Sequence, residues 1–256
     1  MVPNLTTSGT GVDGPWAEKS AVFGQVNVSF DGYSGPRPAE VYRRAAEAAK
    51  TLKRHRSGVG INCVLTRGNF GKLDEVCALA HDLGLKEVEL LRFKPSGRAA
   101  GGGLFGEMDL TPDMYAALVR TVERLMIRHR TRIKLDCSLV PAVASAGVSK
   151  TLMEIFGVSG CEGGNELCAI DARGAVRGCS FARNTECGAG TLESRWNMES
   201  AFREFRAWEE KGARVCLDCR YFDICRGGCH VVSEHVNGDW YAPDPSCAIA
   251  ARAVTG

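Results

Sequence analysis

Hydrophobic and polar positions along the first 140 residues alternate between two periods. Gln25-Val-Asn-Val-Ser-Phe30, Val59-Gly-Ile-Asn-Cys-Val-Leu65 and Val88-Glu-Leu-Leu-Arg-Phe93 are short, β-branched, mainly apolar runs, which predict strands. Between them the apolar residues recur at helical spacing. Residues 38–56 carry alanines and charges behind a proline in the first turn, and 73–83 end at Gly84, a residue suited to a helix C-terminus. Thr111-Pro112-Asp113 opens a long helix as N-cap and first two positions, running to about Arg130, and residues 132–139 predict a further strand. Strand and helix in alternation, joined by short links, predict an α/β fold with right-handed crossovers and a parallel sheet, open or curled into a barrel.

After Ser145 the pattern changes. A short helix over 150–156 leads to Gly160-Cys161-Glu-Gly-Gly. A hairpin follows, pairing 167–171 with 175–179 about Ala172-Arg173-Gly174. One helix over about 198–211 places Phe202, Phe205 and Trp208 on a single face, and the remainder reads as loop. No tandem repeat or low-complexity tract interrupts the chain.

Composition changes this picture at one point. Length, 256 residues, and 45% hydrophobic content are ordinary for a globular protein, and the net charge of +2 is spread over interspersed acids and bases. Neither a nucleic-acid surface nor a membrane-binding face is expected without a concentrated basic field. No apolar run reaches the roughly 20 residues of a membrane span, and residues 1–7 do not resemble a secretory signal, so a cytoplasmic location is expected. The outlier is cysteine, with 12 residues. Cys63, Cys77 and Cys137 are scattered; Cys161, Cys168, Cys179, Cys187, Cys216, Cys219, Cys225, Cys229 and Cys247 crowd the C-terminal part. In a reducing compartment that density reads as metal ligation rather than as a disulfide scaffold.

From Cys216 the spacing is C-x2-C-x5-C-x3-C, with Cys247 closing the set; upstream, Cys161 is followed by Gly174 and Cys179. Short spacings supply two thiolates from one turn and a distant cysteine completes the four that an iron–sulfur cluster needs. Gly227-Gly228 lets the backbone bend close to such a cluster, and Gly174 turns the chain back toward Cys161. Four-cysteine zinc is the competing chemistry. The x5 and x3 spacings lack the paired knuckles of a zinc ribbon, and so many thiols stand beside only two histidines, which favours iron–sulfur. A zinc-binding module on an α/β domain remains the alternative.

Residues 160–248 resemble the SPASM domain of radical S-adenosylmethionine (SAM) enzymes, in the peptide-maturase group that includes the mycofactocin maturases. The likeness rests on Cys161-Glu-Gly-Gly, Cys168-Ala-Ile-Asp-Ala-Arg-Gly-Ala-Val-Arg-Gly-Cys179, Cys216-Leu-Asp-Cys219-Arg-Tyr-Phe-Asp-Ile-Cys225-Arg-Gly-Gly-Cys229 and Asp244-Pro-Ser-Cys247. It implies two auxiliary [4Fe–4S] clusters, one held by Cys216, Cys219, Cys225 and Cys247. The other would be held by Cys161, Cys179 and Cys229, with Cys168 as fourth ligand and Cys187 in reserve. Upstream, Leu5-Thr-Thr-Ser-Gly9 and Asn27-Val-Ser-Phe-Asp-Gly32 are similar to the third- and fourth-strand motifs of the radical SAM barrel, with Ser8 where Asn is usual. Val64-Leu-Thr-Arg-Gly-Asn69 and Leu91-Arg-Phe-Lys-Pro-Ser-Gly-Arg98 resemble the ends of the next two strands. The resemblance places Ser29, Asp31 and Arg67 near SAM, and Lys94 and Arg98 at the mouth of the barrel.

The family's C-x3-C-x2-C triplet, which holds the SAM-cleaving cluster, and its Gly-Gly-Glu motif are both absent from this sequence. The expected organisation is therefore the later part of a barrel over 1–157 and a SPASM domain over 158–256, with the chain a portion of a longer enzyme or a short form that docks a partner supplying the rest. The resemblance implies a peptide substrate, an electron donor, and SAM only where that missing half is present. The alternative is a non-catalytic iron–sulfur electron-transfer or scaffold protein. Four lesser features complete the reading. Gly9-Thr-Gly11-Val-Asp-Gly14 fits a dinucleotide fingerprint, with Asp31 at about the ribose-binding position, but lies between a short strand and a short helix near 16–23. Cys63, Cys77 and His230 read as packed side chains, and Cys137, at a strand end, as core filler or else an active-site residue. Lys53-Arg-His-Arg56 reads as a solvated helix end, and Gly101-Gly-Gly103 as a flexible loop that could act as a substrate lid.

Overall fold

The computed structural model describes residues 2–33, 37–56, 58–182, 191–198 and 202–255. In chain order its first stretch comprises β1 (Leu5–Thr7), α1 (Gly14–Lys19), β2 (Val26–Ser29), α2 (Ala39–His55), β3 (Val59–Leu65), α3 (Leu73–Asp82) and β4 (Val88–Arg92). Then come α4 (Leu104–Met108), α5 (Pro112–His129) and β5 (Ile133–Leu135). Two compact units divide the chain: Met1–Phe93 with Met108–Asp136, and Lys94–Glu107 with Cys137–Gly256. Residues 137–157 thus cluster with the cysteine-rich part.

The first unit is an α/β layer whose five strands pair in the order β1-β2-β3-β4-β5, every pair parallel. One sheet face is apolar: Val26, Val28, Ile61, Cys63, Leu65, Val88 and Leu90 are all fully buried. Buried stripes include Tyr42, Ala45, Ala49 and Leu52 of α2, Val76 and Ala80 of α3, and Leu118, Val122 and Leu125 of α5. These stripes recur at helical spacing, so the helices bury one side each. As expected, Thr111 caps α5, its hydroxyl accepting the Met114 N–H at 3.3 Å.

Two predicted elements are shorter than their patterns suggested. The strand expected over 132–139 ends at Leu135, and Cys137–Leu139 forms a 3₁₀ turn. There Asp136 Oδ2 accepts the Arg92 N–H at 3.3 Å. A side chain thus takes the place of the next ladder carbonyl, and Pro141 in the first turn of α6 (Val140–Ser145) commits the chain to helix. The helix expected near 16–23 stops at Lys19 and continues only as a 3₁₀ turn over Ser20–Val22.

The second unit continues with α7 (Lys150–Ile155), the antiparallel hairpin β6 (Ala169–Ile170) and β7 (Val176–Arg177), and α8 (Leu192–Trp196). Six short helices follow: α9 (Arg203–Arg206), α10 (Trp208–Lys211), α11 (Arg214–Leu217), α12 (Phe222–Cys225), α13 (His230–Asn237) and α14 (Ala248–Thr255). The single helix expected over 198–211 is α9 and α10, with Phe202 at a left-handed φ of 58° before them. Packing overrides helical propensity here. Phe202 and Phe205 fill the space above Gly164, while Trp208 lies against Gly227, and one straight helix would not serve both. Phe205, Trp208, His230 and Trp240 form an aromatic core with ring centroids 4.5–6.5 Å apart. Among the described residues no helix is long and apolar enough to cross a membrane.

Candidate functional site

The C-terminal cysteines are presented by turns and helix ends. Cys216 lies in α11, Cys219 just beyond it, Cys225 at the end of α12, and Cys247 immediately before α14. These four thiols line one small cavity, whose other walls include Ala144, Val215, Phe222 and Ile249. Burial, and then the neighbouring thiols and Asp244, push Cys216 up to about 12 and Cys225 higher still. In this apolar cavity the Cys216 and Cys225 thiols resist ionisation. A cation that takes up thiolate charge removes that penalty, and its binding releases protons.

Cys161 and Cys179 form a second group. Burial raises the Cys161 thiol above its ordinary value, and Cys179 acts on it in the same direction while Lys94 opposes. Cys229, at the start of α13, is buried, and its N–H donates to Asp244 Oδ2 at 2.8 Å. Cys168 is half-buried immediately before β6. Cys187 lies outside the described residues. The turn that returns Cys179 is built as expected: Asp171 Oδ1 accepts the N–H groups of Arg173 and Ala175 at 2.8 and 3.0 Å, and Gly174 takes a φ of 84°. Backbone amides also point at sulfur, from Gly163 to Cys161, Phe181 to Cys179 and Ala250 to Cys247, at 3.4–3.5 Å. Such N–H donors stabilise thiolates and tune cluster potentials.

This donor set fits iron–sulfur clusters. The cavity with four thiols is lined by no imidazole and no carboxylate. Among the described residues no group of three or more His, Cys, Asp or Glu side chains gathers tightly enough for a single metal ion. A mononuclear zinc site draws its sulfurs to about 2.3 Å from one point. A polynuclear cluster spreads its thiolates over a larger polyhedron. Cys63 and Cys77 are packed, as expected: burial pushes Cys77 up to about 12 and Cys63 well above its usual value. His230 is packed too, 4.5 Å from Trp208 between ring centroids, and burial takes its imidazole down to about 4. Cys137, expected as core filler, is exposed in the turn after β5.

In the first unit the residues picked out by resemblance sit beyond the C-terminal ends of neighbouring parallel strands. Ser29 ends β2, and Asp31 follows it. Asp31 Oδ1 accepts the Val64 N–H at 2.8 Å and its other oxygen faces Arg37 at 3.8 Å. Burial raises the Asp31 carboxyl, against the pull of the Val64 amide and Arg37. Arg67 is exposed in the loop after β3. That loop is ordered by buried Asn69, which donates to the Val64 carbonyl at 2.8 Å and accepts the Thr66 N–H at 2.8 Å. Lys94 lies in the second unit, 4.9 Å over the Phe181 ring, and Arg98 is exposed. The dinucleotide reading fails on geometry. Asp13 caps α1 with its own carboxylate on the Trp16 N–H, 2.8 Å, filling the place a phosphate would take.

One feature of this unit escaped the sequence reading. The sheet face opposite the helices is polar: Asn27 Nδ2 donates to Asn62 Oδ1 at 2.7 Å, and Asn62 Nδ2 to Thr6 Oγ1 at 3.3 Å. Gln25 Nε2 donates to Asn27 and to Glu87, each at 2.8 Å, and Lys134 pairs with Glu87 at 3.0 Å. The alternation of Val with Asn and Ser in β2, and of Ile with Asn in β3, was the available signal.

Comparison with known proteins finds relatives over most of the chain. No family model matches the chain. Mycofactocin maturase MftC of Mycobacterium tuberculosis is 31% identical over 201 residues, covering 75% of this chain and 47% of that protein. MftC of Mycobacterium ulcerans is 29% identical over 234 residues, 87% of this chain and 60% of that one. The chain is a homologue of the radical SAM peptide maturases. It spans about half the length of the curated relatives it matches. Relatives also include an AdoMet-dependent heme synthase of Oleidesulfovibrio alaskensis, at 25% identity. Among solved structures, Streptococcus suis SuiB bound to S-adenosylmethionine superposes with a TM-score of 0.70 at 18% identity, over 97% of this chain and 60% of that one. The AdoMet-bound enzyme anSMEcpe gives 0.68 at 19%, over 96% and 70%. The fold is therefore the α/β fold of radical SAM proteins. The five parallel strands form part of the barrel, followed by a cysteine-rich C-terminal region.

Proposed function

We propose that this chain holds two auxiliary [4Fe–4S] clusters and forms the later portion of an enzyme that modifies a peptide by radical chemistry. Cys216, Cys219, Cys225 and Cys247 would hold one cluster; Cys161, Cys179, Cys229 and Cys168 the other. The shared cavity of four thiols carries the reading. When bound, such clusters supply one-electron acceptors or donors. The residues of this chain contribute low-polarity walls, N–H donors to sulfur, and Lys94 beside Cys161 to offset accumulated negative charge.

In the first unit Ser29, Asp31 and Arg67 would face SAM. Asp31 fixes the β2 end against β3 through Val64, so its role includes holding the strand ends in register. The peptide assignment is supported by the relatives' names and by a solved complex of SuiB with its precursor peptide SuiA. This sequence does not contain the cysteine triplet that SAM cleavage requires. A second reading is an electron-transfer or scaffold protein using the same clusters. Supplying a polypeptide that bears the triplet, together with SAM, separates the two. Release of 5′-deoxyadenosine only when both chains are present supports the enzyme; none under reducing conditions supports the scaffold. For the clusters themselves, Cys219→Ala should remove about half of the bound iron and one of two paramagnetic signals of the reduced protein. Full iron content in that variant would refute the ligand assignment.

A further inference from the structure

Asp244 is 2% exposed and touches the segments that present both thiol groups. Its Oδ2 accepts the N–H of Cys229 at 2.8 Å. Its Oδ1 accepts the Ser246 N–H and hydroxyl at 2.9 and 2.7 Å, shaping the turn whose next residue is Cys247. The backbone joins in. Asp244 N donates to the Gly227 carbonyl at 3.2 Å, and Cys247 N donates to the Asp244 carbonyl at 2.9 Å. Gly227 itself lines the cavity of Cys216, Cys219, Cys225 and Cys247. The approach is close enough to require glycine: a Cβ on Gly228, whose φ is 92°, would lie 2.5 Å from Asp244 Cβ and 2.8 Å from Oδ2.

We propose that Asp244 is a positioning residue shared by the two clusters, so that occupancy and reduction potential at both depend on this one carboxylate. The inference rests on the two-cluster reading above and goes beyond it by naming what couples the sites. Both Asp244 oxygens accept hydrogen bonds here, Oδ2 from the Cys229 N–H and Oδ1 from Ser246. An asparagine has similar volume, but its NH₂ must face either the Cys229 N–H or the Ser246 donors. It also removes a negative charge that acts on Cys216 and Cys225 and accepts the Cys229 N–H. A reduced cluster carries one more electron, so loss of that charge favours reduction at each site.

The test uses Asp244→Asn in the anaerobically reconstituted chain, reading iron per chain and the midpoint potential of each cluster. Both potentials should shift positive, or iron should fall at both sites, with wild-type far-ultraviolet circular dichroism retained. A change confined to one site, or none, overturns the proposal. Should Asp244→Asn not fold, Ser246→Ala reads the same link without touching a thiol. It frees Oδ1 of one donor, and hydrogen exchange at the Cys229 amide should then accelerate several-fold; unchanged exchange overturns the proposal. A wild-type chain that binds no iron is instead a failure of the cluster reading, and the Cys229 exchange measurement still tests the link in the metal-free protein.

Discussion

Gly228→Ala probes the cysteine turn sterically, and its cost can be worked from the structure. The added methyl would meet Asp244 Cβ at 2.5 Å, Pro141 Cγ at 2.7 Å and Asp244 Oδ2 at 2.8 Å. Neither a proline ring nor a Cβ can swing aside, so the backbone must move. Holding a non-glycine residue at a φ of 92° adds about 1–2 kcal/mol. Forcing a methyl into filled space adds about 1–3 kcal/mol. Displacing Asp244 from the Cys229 N–H costs about 1.5–3 kcal/mol. These terms overlap, so about 3–6 kcal/mol is expected, a large part of the stability of a typical domain. Gly103→Ala is the control: its φ of 73° imposes the same backbone penalty with nothing within 4 Å of the new methyl. Urea unfolding of the metal-free chain should separate the two variants by at least about 2 kcal/mol. Equal midpoints would refute the clash argument and with it the geometry assigned to the turn.

Asn62→Leu should destabilise the first unit by about 1–3 kcal/mol, because Asn27 Nδ2 loses its acceptor in a buried position. Adding Asn27→Leu should cost less than the sum of the singles, and strict additivity by denaturant unfolding would show that the two amides are not coupled. Glu87 gives a pH signature. Burial raises its carboxyl, but the Gln25 amide and Lys134 outweigh that and hold it below its ordinary 4.5. Its stabilisation is therefore complete above about 4.5 and lost as pH falls through the lower folded value; Glu87→Gln should flatten this acid limb, and an unchanged limb would exclude the residue as its source. For the fourth ligand beside Cys161, Cys179 and Cys229, Cys168→Ala should lower bound iron by about half while Cys187→Ala leaves it unchanged. The opposite result moves the ligand to Cys187.

Much of the first unit was legible because its local signals agreed with one another. β3 has the bounds its apolar run predicts, and Thr111-Pro112 sets the start of α5 by capping chemistry that acts within one turn. Where a distant group decides, the pattern misleads. β5 stops because the Asp136 carboxylate captures an amide of β4, 44 residues away in sequence. The helix over 198–211 divides because its aromatics must reach glycines in two separate loops. The cysteine spacings led to the expectation of metal chemistry, and the cavity gathers four of those thiols. Asp244 stood in one of the motif stretches, but its partners were not legible there, since a buried carboxylate at a turn shows them only once the chain has folded.

The central claim is that the cysteine-rich unit binds two iron–sulfur clusters. It is tested most directly by counting iron and acid-labile sulfide per chain after anaerobic reconstitution of the wild-type protein, alongside its visible spectrum. The account predicts about eight of each, two clusters of four iron atoms on eight thiolates, with a broad visible absorbance. A colourless protein carrying one or two zinc ions would contradict it.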